Sequence, residues 1–183
     1  MLRSLFALAL LIPAPSIPQT VQPLEPVPLV NCVFTAGTAF RISPHLLLGH
    51  VVKGTACEID GEPIHVIYNS QRQDFSELSD DRAGKWIKVD CRGFVPGHHY
   101  ISIGHARGLD GLVGVELVAT GAFADGMAVL VGVFTAQPGQ SGGPVIDADT
   151  HEVVGTTNAA DWENGATFSV ELKGTPVCGG NVA

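Results

Sequence analysis

Short apolar runs recur along the chain, and turns that contain glycine or proline separate most of them. Apolar and small residues alternate over residues 30–42, and a two-residue period also marks residues 86–89. That period is typical of a β-strand, because successive side chains point to opposite faces of the strand. No window shows the apolar stripe of a long amphipathic helix. The pattern therefore predicts an all-β protein.

Eight further segments combine an apolar centre with flanking turn residues, and each is predicted to form a strand. They cover residues 46–48, 63–68, 99–103, 113–118, 128–134, 145–146, 153–157 and 167–172. Residues 94–97 carry a Pro-Gly pair and are predicted to form the hinge between two halves, 30–95 and 96–183. Six strands in each half, with each half closed on itself, would use the whole length economically.

Composition and charge narrow the class of protein. Of the 183 residues, 22 are glycine, 12 are proline and 15% are charged, against about 25% charged in ordinary soluble proteins. These values argue against a coiled coil, and the 45% of hydrophobic residues argues against a disordered chain. Nucleic-acid partners need a basic face, whereas this chain has a net charge of −8 and no Lys/Arg run. A nucleic-acid partner is therefore not expected.

The N-terminus has the pattern of a targeting segment. Arg3 precedes the apolar residues 5–12, so residues 1–16 are predicted to be a secretory signal peptide. This run is shorter than the roughly 20 apolar residues that span a bilayer, and a buried or frayed N-terminal strand is the alternative. Six of the twelve prolines lie between positions 13 and 28, so residues 17–29 are predicted to be a Pro-rich arm or pro-segment. No later apolar run reaches spanning length, so no membrane span is expected after processing.

The four cysteines, at positions 32, 57, 91 and 178, fit an exported protein with up to two disulfides. Four cysteines allow three connectivities, and sequence alone does not choose among them. Free buried thiols are the alternative. Because no two cysteines form a Cys-x-x-Cys pair, a zinc site is not expected. A secreted or periplasmic location follows from the cysteines and the N-terminal segment together.

The most informative stretch covers residues 137–145, where three glycines and two prolines surround Ser141. Glycines allow positive φ and the close approach of a ligand to the backbone. Such a loop can direct two backbone N–H groups, here those of Gly139 and Ser141, at one oxyanion. Residues 139–144 resemble the Gly-x-Ser-Gly-Gly-Pro signature of chymotrypsin-like (trypsin-fold) serine proteases. The resemblance implies that Ser141 is a nucleophile.

Serine is a weak nucleophile until a base that is oriented by a carboxylate takes its proton. Residues 37–43 and 46–52 resemble the Gly-Thr-Gly-Phe-x-Ile-Ser and Gly-His-Val-Val patterns of bacterial and viral members of this family. The resemblance implies that His50 is the base. The six other histidines, which lack the matching flanks, are at positions 45, 65, 98, 99, 105 and 151.

The carboxylate is expected at Asp74, because residues 74–78 resemble the family's Asp-apolar-Ala/Ser-x-Leu motif and follow a predicted strand. The gap of 24 residues from His50 is similar to that in compact viral and bacterial members. A carboxylate here would hold the imidazole in one tautomer and stabilise the imidazolium. The rival candidates are Asp80, Asp81 and Asp90.

The resemblance extends over roughly residues 34–172 and implies a fold and an activity together. The implied fold is two six-stranded antiparallel β-barrels with a catalytic cleft between them. The implied activity is that of a serine endopeptidase, which cuts a polypeptide substrate through an acyl-enzyme and needs no cofactor. A catalytically silent module of the same fold, which binds a peptide strand, is the alternative.

Specificity is expected from the pocket for the side chain that precedes the cut. The resemblance places Thr135 at the base of this pocket and Thr157, Asn158 and Ala159 on the strand that pairs with substrate. No carboxylate occupies these positions. Selection of Lys or Arg is therefore not expected, and a small, polar or acidic side chain is favoured.

Two other chemistries fit the sequence less well. Residues 139–143 also match the Gly-x-Ser-x-Gly elbow of α/β-hydrolases, which need an acid and then a histidine after the serine. His151 is the sole histidine among the 42 residues after Ser141, and it lies too close to the serine in the chain.

A metal site is the second alternative. No helix brings His98, His99 and His105 together as metal ligands, and a strand would place the adjacent pair on opposite faces. No metal site is therefore expected.

Overall fold

A computed structural model describes residues 20–21, 26–33, 35–51, 55–70 and 75–180, and thirteen β-strands make up 52% of these residues. The helical segments among these residues are single turns of 3₁₀ helix. The strands, in chain order, are β1 (Thr20–Val21), β2 (Leu29–Cys32), β3 (Thr35–Arg41), β4 (Leu46–Gly49), β5 (Cys57–Ile59), β6 (Glu62–Ser70), β7 (Phe75–Ser79), β8 (His99–Gly104), β9 (Leu112–Ala124), β10 (Met127–Val131), β11 (Pro144–Asp147), β12 (Val153–Asp161) and β13 (Ala166–Glu171).

The strands close into two antiparallel barrels, as the sequence predicts. The first barrel has the order β2-β3-β4-β7-β6-β5. The second has the order β9-β10-β13-β12-β11-β8 and closes where β8 pairs with β9, and β1 adds to the outside of β9. The all-β class and the trypsin-like double barrel are therefore confirmed.

Each barrel has its own apolar core, and a third apolar cluster lies between the barrels and joins them. In β4, Leu47 packs in the core of the first barrel, whereas its neighbour Leu48 packs in this inter-barrel cluster. Ile146 and Val153 contribute to the same cluster from the second barrel. Both faces of β4 are thus buried, which explains why its sequence is a continuous apolar run rather than an alternating one.

The segment before β2 also packs in the inter-barrel cluster. Val27 is 3% exposed and belongs to that cluster. The amide of Arg41 donates to the carbonyl of Pro26 at 2.8 Å, and the amide of Ala39 donates to that of Pro28 at 3.1 Å. The C-terminal end of the predicted Pro-rich arm is thus bound to β3. Residues 1–19 and 22–25, which include the predicted signal peptide, lie outside the described residues.

Two local expectations differ from the structure. Residues 86–89 do not form a strand, because only Val89 makes a bridge, to Val153 of β12. Conversely, β5 is a strand that the apolar pattern does not indicate. Its three residues are too few to show a period, and it is closed by a turn at Asp60 and Gly61, both with positive φ (55° and 79°).

The cysteines pair as Cys32–Cys57 and Cys91–Cys178. Cys32 and Cys57 are directly opposite each other on β2 and β5. The second bridge joins positions 87 residues apart and ties the segment between the barrels to the C-terminal end of the described chain. The free-thiol alternative is therefore excluded.

Asp80 forms a buried ion pair at the end of β7. Its side chain is 2% exposed and contacts the guanidinium of Arg41, which is buried as well. Arg82 adds bonds to Asp80 Oδ1 from its amide at 2.9 Å and from Nε at 3.1 Å. Burial acts to raise the pKa of Asp80, but the hydrogen bonds from Arg82 and Arg41 outweigh it, and the pKa lies below its ordinary value.

We expect Asp80→Asn to destabilise the protein by about 3–5 kcal/mol at pH 7, because it leaves the Arg41 guanidinium buried without a counter-charge. A lowered folded pKa stabilises the protein above the unfolded pKa of about 4, and this contribution is lost as the pH falls through the folded value. The difference between wild type and variant in urea unfolding should therefore shrink below about pH 4. Asp81→Asn, at the exposed neighbouring position, is the matched control. The ion-pair explanation would be contradicted by an equal loss of stability in both variants. It would also be contradicted by a stability difference between wild type and Asp80→Asn that does not change with pH.

Candidate active site

Ser141 and His50 meet between the two barrels. Ser141 lies in the loop between β10 and β11, and His50 directly follows β4. Ser141 Oγ and His50 Nδ1 are 2.8 Å apart. Residues 91 positions apart in the chain are thus brought within hydrogen-bond distance. The motif that pointed to these two side chains therefore located two groups that are in contact in space.

Gly142 allows this close approach. Its φ is +83°, and a Cβ on it would lie 2.3 Å from the carbonyl oxygen of Thr38 and 2.6 Å from the amide nitrogen of His50. Thr38 also donates its amide to the carbonyl of Ser141 at 2.9 Å. Any larger residue at position 142 would push the serine loop away from the first barrel.

The hydroxyl of Ser141 has two neighbours that can accept its single proton. Ser141 Oγ lies 3.0 Å from the carbonyl oxygen of Asn158 and 2.8 Å from His50 Nδ1. If the proton goes to Asn158, the histidine nitrogen must itself donate to Oγ. If the proton goes to His50, that nitrogen is unprotonated and can act as a base. The tautomer of His50 thus decides whether this serine is activated.

The loop before Ser141 is supported from the interior. Gln140 is completely buried, and its side chain donates to the Val113 carbonyl at 2.9 Å and accepts from the Gln137 amide at 2.7 Å. Gly139 has φ +91°, and a Cβ there would lie 2.4 Å from the carbonyl oxygen of His105. Sequence reasoning did not identify Gln140, because its role depends on β9, which is distant in the chain.

The backbone N–H groups of Gly139 and Ser141 are the predicted oxyanion donors, and their hydrogen bonding bears on whether they could bind a ligand. Among the described residues, neither donates to a protein acceptor. The carbonyl of Gly139, by contrast, accepts from Thr38 Oγ1 at 2.7 Å. The loop is thus held through its carbonyl groups, the Gln140 side chain and other amides, among them that of Gly142, which donates to the Thr157 carbonyl at 2.7 Å.

Two of the three rival carboxylates are engaged elsewhere, and the third, Asp81, is exposed. Asp80 is bound by two arginines, as described above. Asp90 accepts from Arg92 Nε at 2.8 Å, and the hydrogen bond from this side chain is the main cause that holds the pKa of Asp90 below its ordinary value. Asp74 lies outside the described residues, so its predicted role stays a prediction.

A cavity of about 110 Å³ adjoins Ser141 on the second barrel. Thr157, Asn158 and Ala159, which were predicted to contact substrate, all line it, whereas Thr135 is not among the described lining residues. Thr135 is buried, and its carbonyl accepts from Gln137 Nε2 at 3.3 Å. The full lining is Ala136, Gln137, Pro138, Ser141, Thr157, Asn158, Ala159, Ala160 and Trp162.

A second cavity of about 230 Å³ lies on the other side of the Ser141–His50 pair, against the first barrel. The two cavities share Ser141. The lining of the larger one is Val30, Cys32, Thr35, Ala36, Gly37, Thr38, His50, Val51, Thr55 and Ser141.

One group of potential metal-binding side chains lies on the second barrel at the end of β11. His98 Nε2 is 3.1 Å from Asp147 and 3.8 Å from Asp149, and the three donor atoms lie within 4.8 Å of one another. The direct contact between His98 Nε2 and the Asp147 carboxylate accounts for this grouping without a metal ion. His105 lies elsewhere, where its ring contacts the carbonyl groups of Val27 and Leu109.

The two six-stranded antiparallel barrels form the chymotrypsin-like fold, and the contact between Ser141 and His50 lies between them. No family model matches the chain, and no curated protein matches it in sequence.

Solved structures resemble it in fold. The Rv3671c protease from M. tuberculosis in its active form has a TM-score of 0.66 and 18% identity, covering 80% of this chain and 76% of that one. The inactive form of the same protease has a TM-score of 0.64 and 19% identity over 80% and 84%. The serine endoprotease from Yersinia pestis has a TM-score of 0.65 and 16% identity over 80% and 59%. At these identities the likeness establishes the shared fold.

Proposed function

We propose that the protein is a serine endopeptidase that hydrolyses peptide bonds through an acyl-enzyme. The observation that carries this proposal is the 2.8 Å contact between Ser141 Oγ and His50 Nδ1 in the cleft between the barrels. A serine that lies beside an imidazole has the base that it needs to become a nucleophile. The proteases of the same fold support this function by analogy.

In the proposed reaction, Ser141 Oγ attacks the peptide carbonyl carbon while its proton passes to His50. The amides of Gly139 and Ser141, which have no protein acceptor among the described residues, stabilise the negative charge on the carbonyl oxygen. His50 then gives the proton to the departing amine, and the acyl group remains on Oγ as an ester. Water, deprotonated by His50, hydrolyses this ester and regenerates Ser141.

Asp74 is proposed to orient His50. β4 and β7 are antiparallel neighbours with Gly49 opposite Ser76. The chain that leaves β4 at His50 and the chain that enters β7 at Phe75 are therefore at the same end of the barrel. A carboxylate at this end would bind the histidine nitrogen that faces away from Ser141 and keep the serine-facing nitrogen unprotonated.

The two cavities on either side of Ser141 could hold the substrate residues before and after the cleaved peptide bond. The smaller one would hold the side chain of the residue whose carbonyl is attacked, and the larger one would hold the residue that leaves with the amine. The polypeptide substrate would thus cross the cleft from the second barrel to the first.

We also propose that the protein works outside the cytoplasm. Its two disulfides persist in oxidising compartments. None of the helices in the described part of the chain has the length and apolar character to cross a membrane. Detection of the folded, disulfide-bonded protein in the culture medium or periplasm would agree with this location.

A fluorophosphonate probe tests the activity directly, because it reacts only with an activated serine. We expect the folded wild type to be labelled, and peptide mapping to place the phosphonate on Ser141. His50→Ala should label at least about 10²-fold more slowly, since general-base assistance is typically worth that much. His99→Ala, at an exposed position, is the matched control. No labelling of the folded wild type would favour a silent peptide-binding module.

A further inference from the structure

We propose that Trp162 sets the size limit of the smaller cavity and thereby restricts cleavage to bonds that follow a short uncharged side chain, such as that of Ala, Val or Thr. This inference rests on the proposed peptidase function and names the substrate class of the same site.

Trp162 joins the two walls of the cavity. One wall is the segment 136–138, which precedes Ser141, and the other is the end of β12 at 157–160. Trp162 directly follows β12, lines the cavity, and donates its indole Nε1–H to the carbonyl of Ala136 at 3.0 Å. The side chain is 61% exposed, so core packing does not hold it in place. The hydrogen bond spans the cavity and holds the indole ring against it.

The base of the cavity is also fixed. Thr157 is buried, and its hydroxyl is hydrogen-bonded to that of Ser102 at 2.6 Å. Its amide donates to the carbonyl of Gly143 at 2.8 Å. With the base bound to the barrel and the mouth bound by Trp162, the cavity has little freedom to widen for a larger side chain.

The volume of the cavity disfavours aromatic side chains. It measures about 110 Å³, less than the roughly 150 Å³ of an engineered apolar cavity that binds one benzene molecule. A phenyl or phenol ring would therefore fill the cavity and press on its walls, whereas smaller groups leave them in place. A methyl, isopropyl or hydroxyethyl group does fit.

The chemistry of the lining excludes charged side chains. None of the lining residues is ionisable, and the polar groups are hydroxyls and amides. A carboxylate, ammonium or guanidinium placed here would lose its hydration without gaining a counter-charge, and such burial is strongly unfavourable. The structure thus favours the small side chains among those that the sequence indicated, and it disfavours the acidic ones.

The test compares kcat/KM for peptides that differ only in the residue before the cut, with Ala, Val, Phe, Arg and Glu at that position. For the wild type we expect Phe, Arg and Glu to be at least about 100-fold poorer than Ala or Val. Trp162→Ala should raise the ratio of kcat/KM for the Phe peptide to that for the Ala peptide (the Phe/Ala ratio) at least about 10-fold, because the aromatic wall of the cavity is removed. Trp162→Phe keeps an aromatic ring but loses the donor, so an intermediate ratio would identify the contribution of the hydrogen bond.

Trp86→Ala is the matched control, because Trp86 is the other tryptophan of the chain, is 56% exposed and does not line the cavity. The Phe/Ala ratio of this variant should equal that of the wild type. Fluorophosphonate labelling of every variant shows whether its active site is folded. Two results would overturn this inference and leave the peptidase proposal intact. One is efficient cleavage after Phe, Arg or Glu by wild type that is labelled by the probe, and the other is a Phe/Ala ratio that does not change in Trp162→Ala. A folded wild type that is not labelled would overturn both.

Discussion

Ser141→Ala is expected to lower kcat for peptide hydrolysis by about 10⁶-fold, as loss of the nucleophilic serine does in other enzymes that use this group of residues. The reason is that Oγ is the atom that forms the acyl bond, and no other group at the site replaces it. In the structure the hydrogen-bond partners of this atom among the described residues are His50 and Asn158. The substitution should therefore leave the fold and peptide binding nearly unchanged.

The measurement is a progress curve on a good peptide substrate with high enzyme concentration, together with thermal unfolding of the same sample. Ser79→Ala, at the far end of β7 from His50, is the control that should keep full activity. Residual hydrolysis by Ser141→Ala above a few per cent of wild type would show that the nucleophile is another residue.

Asp74→Asn is expected to lower kcat by about 10⁴-fold, because an amide does not hold the imidazole in the tautomer that accepts the serine proton. The hydroxyl of Ser141 has an alternative acceptor in the carbonyl of Asn158, 3.0 Å away. Without a carboxylate on the far side of the ring, His50 can donate to Ser141 and leave the serine bound to Asn158. The variant should still react slowly with the fluorophosphonate, because Oγ is present.

Asp81→Asn and Asp90→Asn serve as controls for this assignment. Both are expected to retain activity, because Asp81 is exposed and Asp90 is bound to Arg92. Full activity of Asp74→Asn combined with loss of activity in Asp90→Asn would assign the orienting carboxylate to the rival. Asp80→Asn is a poor control for kinetics, since its expected effect is on stability.

Much of the strand pattern could be predicted from the sequence, because strand periodicity and turn residues act over a few neighbouring positions. Residues 30–42 form the hairpin of β2 and β3, and residues 63–68 lie within β6. The prediction of a strand at residues 86–89 is wrong, because this segment packs beside β12 and makes a single β-bridge there, from Val89 to Val153. The apolar pattern also missed β5, whose three residues carry too little pattern.

The residues of the candidate site likewise divide into those that a local motif predicts and those that only the fold brings together. Ser141 and the glycines around it are found by a local motif, since the backbone conformation of a tight loop depends on its own residues. The wall of the smaller cavity is different. The resemblance indicated Thr135 for the base of the pocket and did not indicate Ala136 or Trp162, which are 26 residues apart, line the cavity and meet through one hydrogen bond. No signal in the sequence joins them.

By itself the sequence determined the all-β class, the two closed halves and the loop that presents Ser141, because short-range periodicity and glycine positions encode these features. Only the tertiary structure decided which distant groups meet. Closure of the barrels and burial of the apolar cluster between them bring His50 to Ser141, Cys91 to Cys178 and Arg41 to Asp80. These contacts depend on how whole strands pack. The motifs around His50 and Ser141 predicted that pair, whereas the residues next to Cys91, Cys178, Arg41 and Asp80 carry no record of their partners.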